Sequence, residues 1–136
     1  MSRSRLAALL LIPLAFMLMG GATPIPLADP EPISVPAGLN IEQVSKAIKV
    51  AVASRPGWAI TKEDNGQFEV TLNVRQHMLK VNVPYSTSSV AIKYVDSQNL
   101  DYSEKKGVKV IHPKWVNWTR NLASDIQREL NVLSVK

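Results

Sequence analysis

The chain has 136 residues, a formal net charge of +5, 46% apolar and 20% charged residues, and no cysteine. That length sets one small domain as the expectation, and that apolar share excludes a wholly disordered chain. Without cysteine there is no disulfide framework, no thiolate zinc site and no lipid-modified N-terminal Cys.

Residues 1–22 fall into three zones. Arg3 and Arg5 come first, with no acid beside them, and an apolar run from Leu6 to Met19 follows, broken only by Pro13. Gly20-Gly21-Ala22 then places small residues at −3 and −1 of a cut after Ala22. This is the layout of a secretory signal peptide. The run is shorter than the ~20 residues of a stable membrane span. An uncleaved membrane anchor is the second reading and a buried helix the third. A cut after Ala28 is disfavoured, because Pro26 would then stand at −3. Cleavage removes Arg3 and Arg5, and the charge that remains does not point to nucleic acid. An exported chain without cysteine suits a bacterial periplasm.

Residues 23–38 hold Pro24, Pro26, Pro30, Pro32 and Pro36, five of the nine prolines. Such spacing removes backbone donors and favours extended geometry, so a semi-rigid, poorly ordered linker is expected. A proline-motif ligand is the alternative. The single folded domain is then 39–136.

Asn40 opens a helix, with Gln43 placed for a capping box. Ile41, Val44, Ile48, Ala51 and Val52 form its apolar stripe, and Arg55-Pro56-Gly57 stops it. Four strands follow. A three-residue loop Asp64-Asn65-Gly66, with Gly66 left-handed, pairs Lys62 with Phe68, Ile60 with Val70 and Trp58 with Leu72. A tight loop at Gln76-His77, or a four-residue one, pairs Val74 with Leu79, Leu72 with Val81, Val70 with Val83 and Phe68 with Tyr85. The polar loop 86–89 pairs Tyr85 with Val90, Val83 with Ile92 and Val81 with Tyr94. Every large apolar residue then lies on one face of one antiparallel sheet, and a one-residue slip would move a whole strand's set to water. Val108 to Ile111 adds a short edge strand. Pro113 is expected at the first position of a last helix, with Trp115, Trp118, Leu122, Ile126 and Leu130 inward and Lys114, Arg120, Asp125 and Arg128 elsewhere on the wheel. The expected fold is α+β: a two-layer sandwich of helix, four-stranded antiparallel meander and helix, with both helices on one sheet face.

The series Arg75-x-His77, Pro84-Tyr85-Ser86, Ile92-x-Tyr94-x-x-Ser97-x-Asn99-Leu100-x-Tyr102, Ile111-His112-Pro113 and Trp118-x-x-x-Leu122 resembles a family of small, functionally uncharacterised, exported proteobacterial envelope proteins, many of them lipoprotein-like. The match covers residues 57–126. This chain departs from the lipoprotein members in having no Cys after the signal, and has Trp115 where the pattern has Tyr. The resemblance implies an envelope protein and carries no reaction with it.

No nucleophile elbow, phosphate loop or His-Glu-x-x-His is present. The carboxylates Glu63, Asp64, Glu69, Asp96 and Asp101 are scattered, and no paired acid and base is specified. His77 and His112 are too few for a zinc site. They read as a turn residue bonding its own backbone and as a partner of the helix start. No cofactor and no metal is expected. Arg75, Lys80 and Lys93 share the polar sheet face with Asn73 and Asn82, Lys80 opposite Asn73 and Asn82 opposite Lys93. That face is either a solvated surface or the contact for an anionic envelope component or another envelope protein. No aromatic row interleaves it, so nucleic acid is not expected as a partner. Trp58, Trp115 and Trp118 read as core rather than a binding platform. Ser97-x-Asn99-Leu100-x-Tyr102 either fixes the connection to the last helix or forms a small polar pocket, since Arg75, His77, Ser97 and Asn99 fall at one end of the sheet. The leading expectation is a non-catalytic periplasmic binding or interaction module. A structural accessory subunit using the open sheet face stands second, and a hydrolase-type enzyme third. The membrane enters only through an uncleaved signal.

Overall fold

The computed structural model describes residues 22–135, so the signal expected over 1–22 lies outside the described residues apart from Ala22. Helix α1 (Ile41–Ala53) starts where the capping box expects it. The Gln43 N–H donates to Asn40 Oδ1 at 2.8 Å and the Asn40 N–H to Gln43 Oε1 at 2.9 Å. Its buried stripe is Val44, Ala47, Ile48, Ala51 and Val52. Ile41, expected in that stripe, is 45% exposed, whereas Ala47 is buried. Gly57 ends the helical segment at φ +95°, and a Cβ there would sit 2.9 Å from the Asn73 carbonyl oxygen. Only glycine meets both demands.

Four strands build the main sheet in the order β3 (Trp58–Asp64), β4 (Gln67–Val74), β5 (His77–Pro84) and β7 (Lys93–Gln98). This is the antiparallel meander. Phe68, Val70 and Leu72 on β4 and Leu79, Val81 and Val83 on β5 are buried. They pack with α1 and with α2 (Lys114–Ser134), whose buried apolar residues are Trp115, Leu122, Ile126 and Leu130. Helices therefore cover one face of an α+β sandwich. Among the described residues no helix is long and apolar enough to cross a membrane.

The registers differ in detail from the expectation. Trp58 faces Leu72 and Ile60 faces Val70 as read, but a shift after Ile60 sets Lys62 opposite Glu69 and Glu63 opposite Phe68. Gly66 is left-handed at φ +84° as expected. The β4–β5 turn is Arg75-Gln76 rather than Gln76-His77. Val74 therefore faces His77, Leu72 faces Leu79 and Val70 faces Val81, two residues from the expected pairing. An even shift keeps every side chain on its face, so the alternation of the strands did not detect it. Val81 faces Tyr94 and Asn82 faces Lys93 as read, but beyond them a shift places Asp96 opposite Lys80 and Ser97 opposite Leu79. Lys80 thus lies beside Thr71 and Asp96, not Asn73.

The proline-rich stretch is not a loose tether. Strand β1 (Ile25–Pro26) pairs with β9 (Val108–Ile111), and β2 (Ile33–Ser34) pairs with β6 (Ser89–Val90). Backbone donors between the prolines are used: Leu27 N–H to the Lys109 carbonyl at 2.9 Å and Val35 N–H to the Ser88 carbonyl at 3.0 Å. Ile33 and Leu39 are buried in the core. Proline is tolerated here because these are edge pairings. The strand expected at 108–111 exists, but it joins β1 and β8 (Ser103–Lys105) in a separate three-stranded sheet. Pro113 stands at the cap position of α2 rather than inside it, and the Lys114 N–H is taken by His112 Nδ1 at 3.0 Å.

Candidate functional site

The turn Arg75-Gln76 brings β5 back beside the segment that leaves β7. His77 Nδ1–H donates to the Asn99 carbonyl at 2.6 Å, and Asn99 Nδ2 donates to the Gln76 carbonyl at 2.6 Å. A carbonyl only accepts, so this bond fixes the proton on Nδ1. The His77 ring also lies 5.7 Å from that of Trp118. The pair is a clasp between two loops. Arg75, Asn99 and Asp101 all have left-handed backbone, with φ of +54°, +57° and +54°, a conformation unfavourable for side chains other than Gly and Asn. Asn and Asp tolerate it better than Arg, so the strain falls chiefly on Arg75, whose turn the clasp holds against the Asn99 segment.

Of the four residues expected to converge there, two meet. His77 and Asn99 are joined as described. Ser97 turns instead to Tyr94, with its hydroxyl 2.7 Å from the phenol oxygen. Burial pushes the Tyr94 phenol pKa up, against the opposing pull of the Ser97 hydrogen bond. Tyr94 in turn stacks on Tyr102 at 5.0 Å and meets Trp115 edge-on at 5.7 Å. Arg75 is exposed and takes no part in the ion pairs of the described residues.

Lys80 and Lys93 lie on the polar side of the sheet. Lys80 Nζ is 4.0 Å from Glu69 Oε1, and Glu69 Oε2 accepts from the Thr61 hydroxyl at 2.7 Å. Thr61 and Thr71 hydroxyls are 2.9 Å apart, which leaves Thr71 only 7% exposed. The expected cationic cluster is therefore partly neutralised, whereas Lys93 is exposed and outside the ion pairs of the described residues.

Sequence reasoning missed the most buried charge. Asp125, expected away from the stripe, has a side chain only 4% exposed. Arg55 Nε and Arg128 Nη1 each donate to it at 2.9 Å. The Arg55 hydrogen bond, foremost, with Arg128 in support, holds the Asp125 carboxyl below the usual carboxylate range against the opposing effect of burial. Asp125 stands three residues after Leu122 and seven after Trp118, which puts it on the apolar side of the helix. That spacing was the signal, together with Arg128 one turn on. Arg55 reached attention only as the residue before Pro56, yet it ties the end of α1 to the middle of α2.

Trp58 and Trp115 are core residues, with 7% and 1% exposure. Trp118 is half-buried and, with Arg55, Pro56, Trp58, Val74 and Asn121, lines an open depression of about 200 Å³. Every buried side-chain nitrogen and oxygen among the described residues has a hydrogen-bond partner. A comparison with protein-family models, with curated proteins and with solved structures finds no match.

Proposed function

We propose that the chain works as a non-catalytic binding or interaction module of the bacterial cell envelope, contacting its partner through the polar side of the four-stranded sheet. The order of Arg3 and Arg5, the apolar run and Gly20-Gly21-Ala22 supports export. The observation that carries the reading is the unequal use of polar side chains. His77, Ser97, Asn99 and Asp125 spend their hydrogen bonds inside the fold. Lys93 stands exposed beside Asn82, on a sheet side whose Thr61, Glu69, Thr71 and Lys80 are already held in fixed geometry. A pre-set polar surface loses little side-chain freedom on contact. That same fixity suits the second reading, an accessory subunit whose protein partner covers this side permanently.

The test has two parts. Cell fractionation with N-terminal sequencing should find the chain in the periplasm and shortened at Ala22. A photo-crosslinking residue at Asn82 or Lys93 should then capture an envelope component that one at Val50, on α1, does not. A cytoplasmic chain with residues 1–22 intact, or equal capture from both sides, overturns the reading.

A further inference from the structure

Strands β8 and β9 form a hairpin whose tip is the most cationic stretch of the described residues. The segment 104–109 reads Glu-Lys-Lys-Gly-Val-Lys, and all six residues are exposed. Lys106 and Gly107 make the turn with φ of +52° and +79°. Two central residues of positive φ match the twist of a two-residue hairpin. Lys105 faces Val108 across the ladder, and Glu104 faces Lys109. Residues directly opposite share a face, so Val108 stands beside the Lys105 side chain. Val108 is 55% exposed. None of the three lysines enters an ion pair among the described residues. The hairpin is held at its base: β1 pairs with the outer side of β9, and Ile111 is fully buried.

We propose that this tip, through Lys105, Lys106 and Val108, docks the protein on an anionic phospholipid surface; Lys109 lies on the other face of the hairpin, opposite Glu104. The charges fit the negative headgroups, and the exposed valine can enter the interface while the lysine heads remain at the phosphates. An exposed two-residue turn with its flanking residues offers far less area than the roughly 1,200 Å² of a stable protein–protein interface, whereas a bilayer requires no matching shape. The biological setting rests on the envelope role proposed above. The surface itself does not, because vesicle binding is read on purified protein wherever the cell keeps it.

Protein recovered from cells expressing the full chain is sedimented with vesicles containing phosphatidylglycerol and with vesicles of phosphatidylcholine alone. Binding is expected to the first, weakening as salt is raised. The double substitution Lys105→Gln, Lys106→Gln should reduce partitioning about twenty-five-fold, at about fivefold per lysine. Lys106→Gly separates docking from folding. It removes one charge and relieves a left-handed backbone, so partitioning should drop about fivefold while Tm stays level or rises. Val108→Ser should weaken binding with its salt dependence unchanged. Equal binding to both vesicles, no binding, unaltered binding by the double variant, or binding to soluble polyglutamate in place of vesicles each overturns the proposal.

Discussion

Val70 and Thr71 are neighbours in the chain and stand on opposite sides of the sheet, and the two sides are stabilised differently. Val70 is fully buried among apolar side chains under the helices. Thr71 is nearly as hidden, at 7% exposure, but its cover is the Thr61–Glu69–Lys80 polar network. The same contrast appears in the charges. Asp125, on the covered side, is 4% exposed with two guanidiniums, while Glu69, on the open side, is 24% exposed with one ammonium 4.0 Å away. Under the helices a lost side chain leaves a cavity or an unsatisfied group. On the open side water replaces what is lost. The covered side therefore specifies the fold, and the open side contributes less to it.

That contrast can be broken by substitution. Trp115→Ala should have the largest effect, about 3–5 kcal/mol in urea unfolding, because it removes a side chain 1% exposed that also donates to the Ala28 carbonyl. A loss under 1 kcal/mol would mean that the covered side is not well packed. Asp125→Ala should cost about 1–2 kcal/mol, at the low end for a charged hydrogen bond because both guanidiniums are about half exposed. Its pH dependence has a fixed sign. The folded carboxyl titrates below its unfolded value of about 3.9. Its contribution is therefore complete above that value and disappears as pH falls through the lower folded one. The gap between parent and Asp125→Ala should stay level from neutral pH to about pH 4 and close below it. A gap that widens on acidification would contradict the ion pairing.

Asn99→Ala should cost about 1–2 kcal/mol by thermal or urea unfolding, from a lost hydrogen bond and a left-handed backbone. Asn99→Gly, which suits φ +57°, should cost less. Equal losses would show that the hydrogen bond, not the backbone, dominates the clasp. The smallest effect belongs to Lys93→Glu, within about 0.5 kcal/mol of the parent. A large fall in Tm there would make the open side part of the fold's support rather than a contact surface.

The sheet, its single apolar face and its two covering helices were legible because alternation and helical spacing report which way a side chain points. They do not report which residue stands opposite which. Phe68, Val70 and Leu72 meet the buried residues of β5 equally well with Val70 opposite Val83 or Val81, and no glycine marks the true turn at Arg75-Gln76. The proline-rich stretch was misread because proline content outweighed Ile25, Leu27, Ile33 and Val35, which lie between the prolines and enter or pack against the paired strands and core. At the candidate site, His77 and Asn99 were found as neighbours at one end of the sheet. Their bonds to backbone carbonyls depend on loop geometry that residue type alone does not encode. Asp125 was hidden by the habit of placing every carboxylate in water.

The pairing of Ile25 with Ile111 also sets an order of events. A polypeptide leaving a ribosome or a translocation pore N-terminus first must hold its opening strand unpartnered until nearly the whole chain has emerged. Long-range closure of this kind slows folding. Until it is made, residues 22–28 remain accessible to any protease or chaperone waiting at the exit, whereas β2 can pair with β6 as soon as Val90 has emerged.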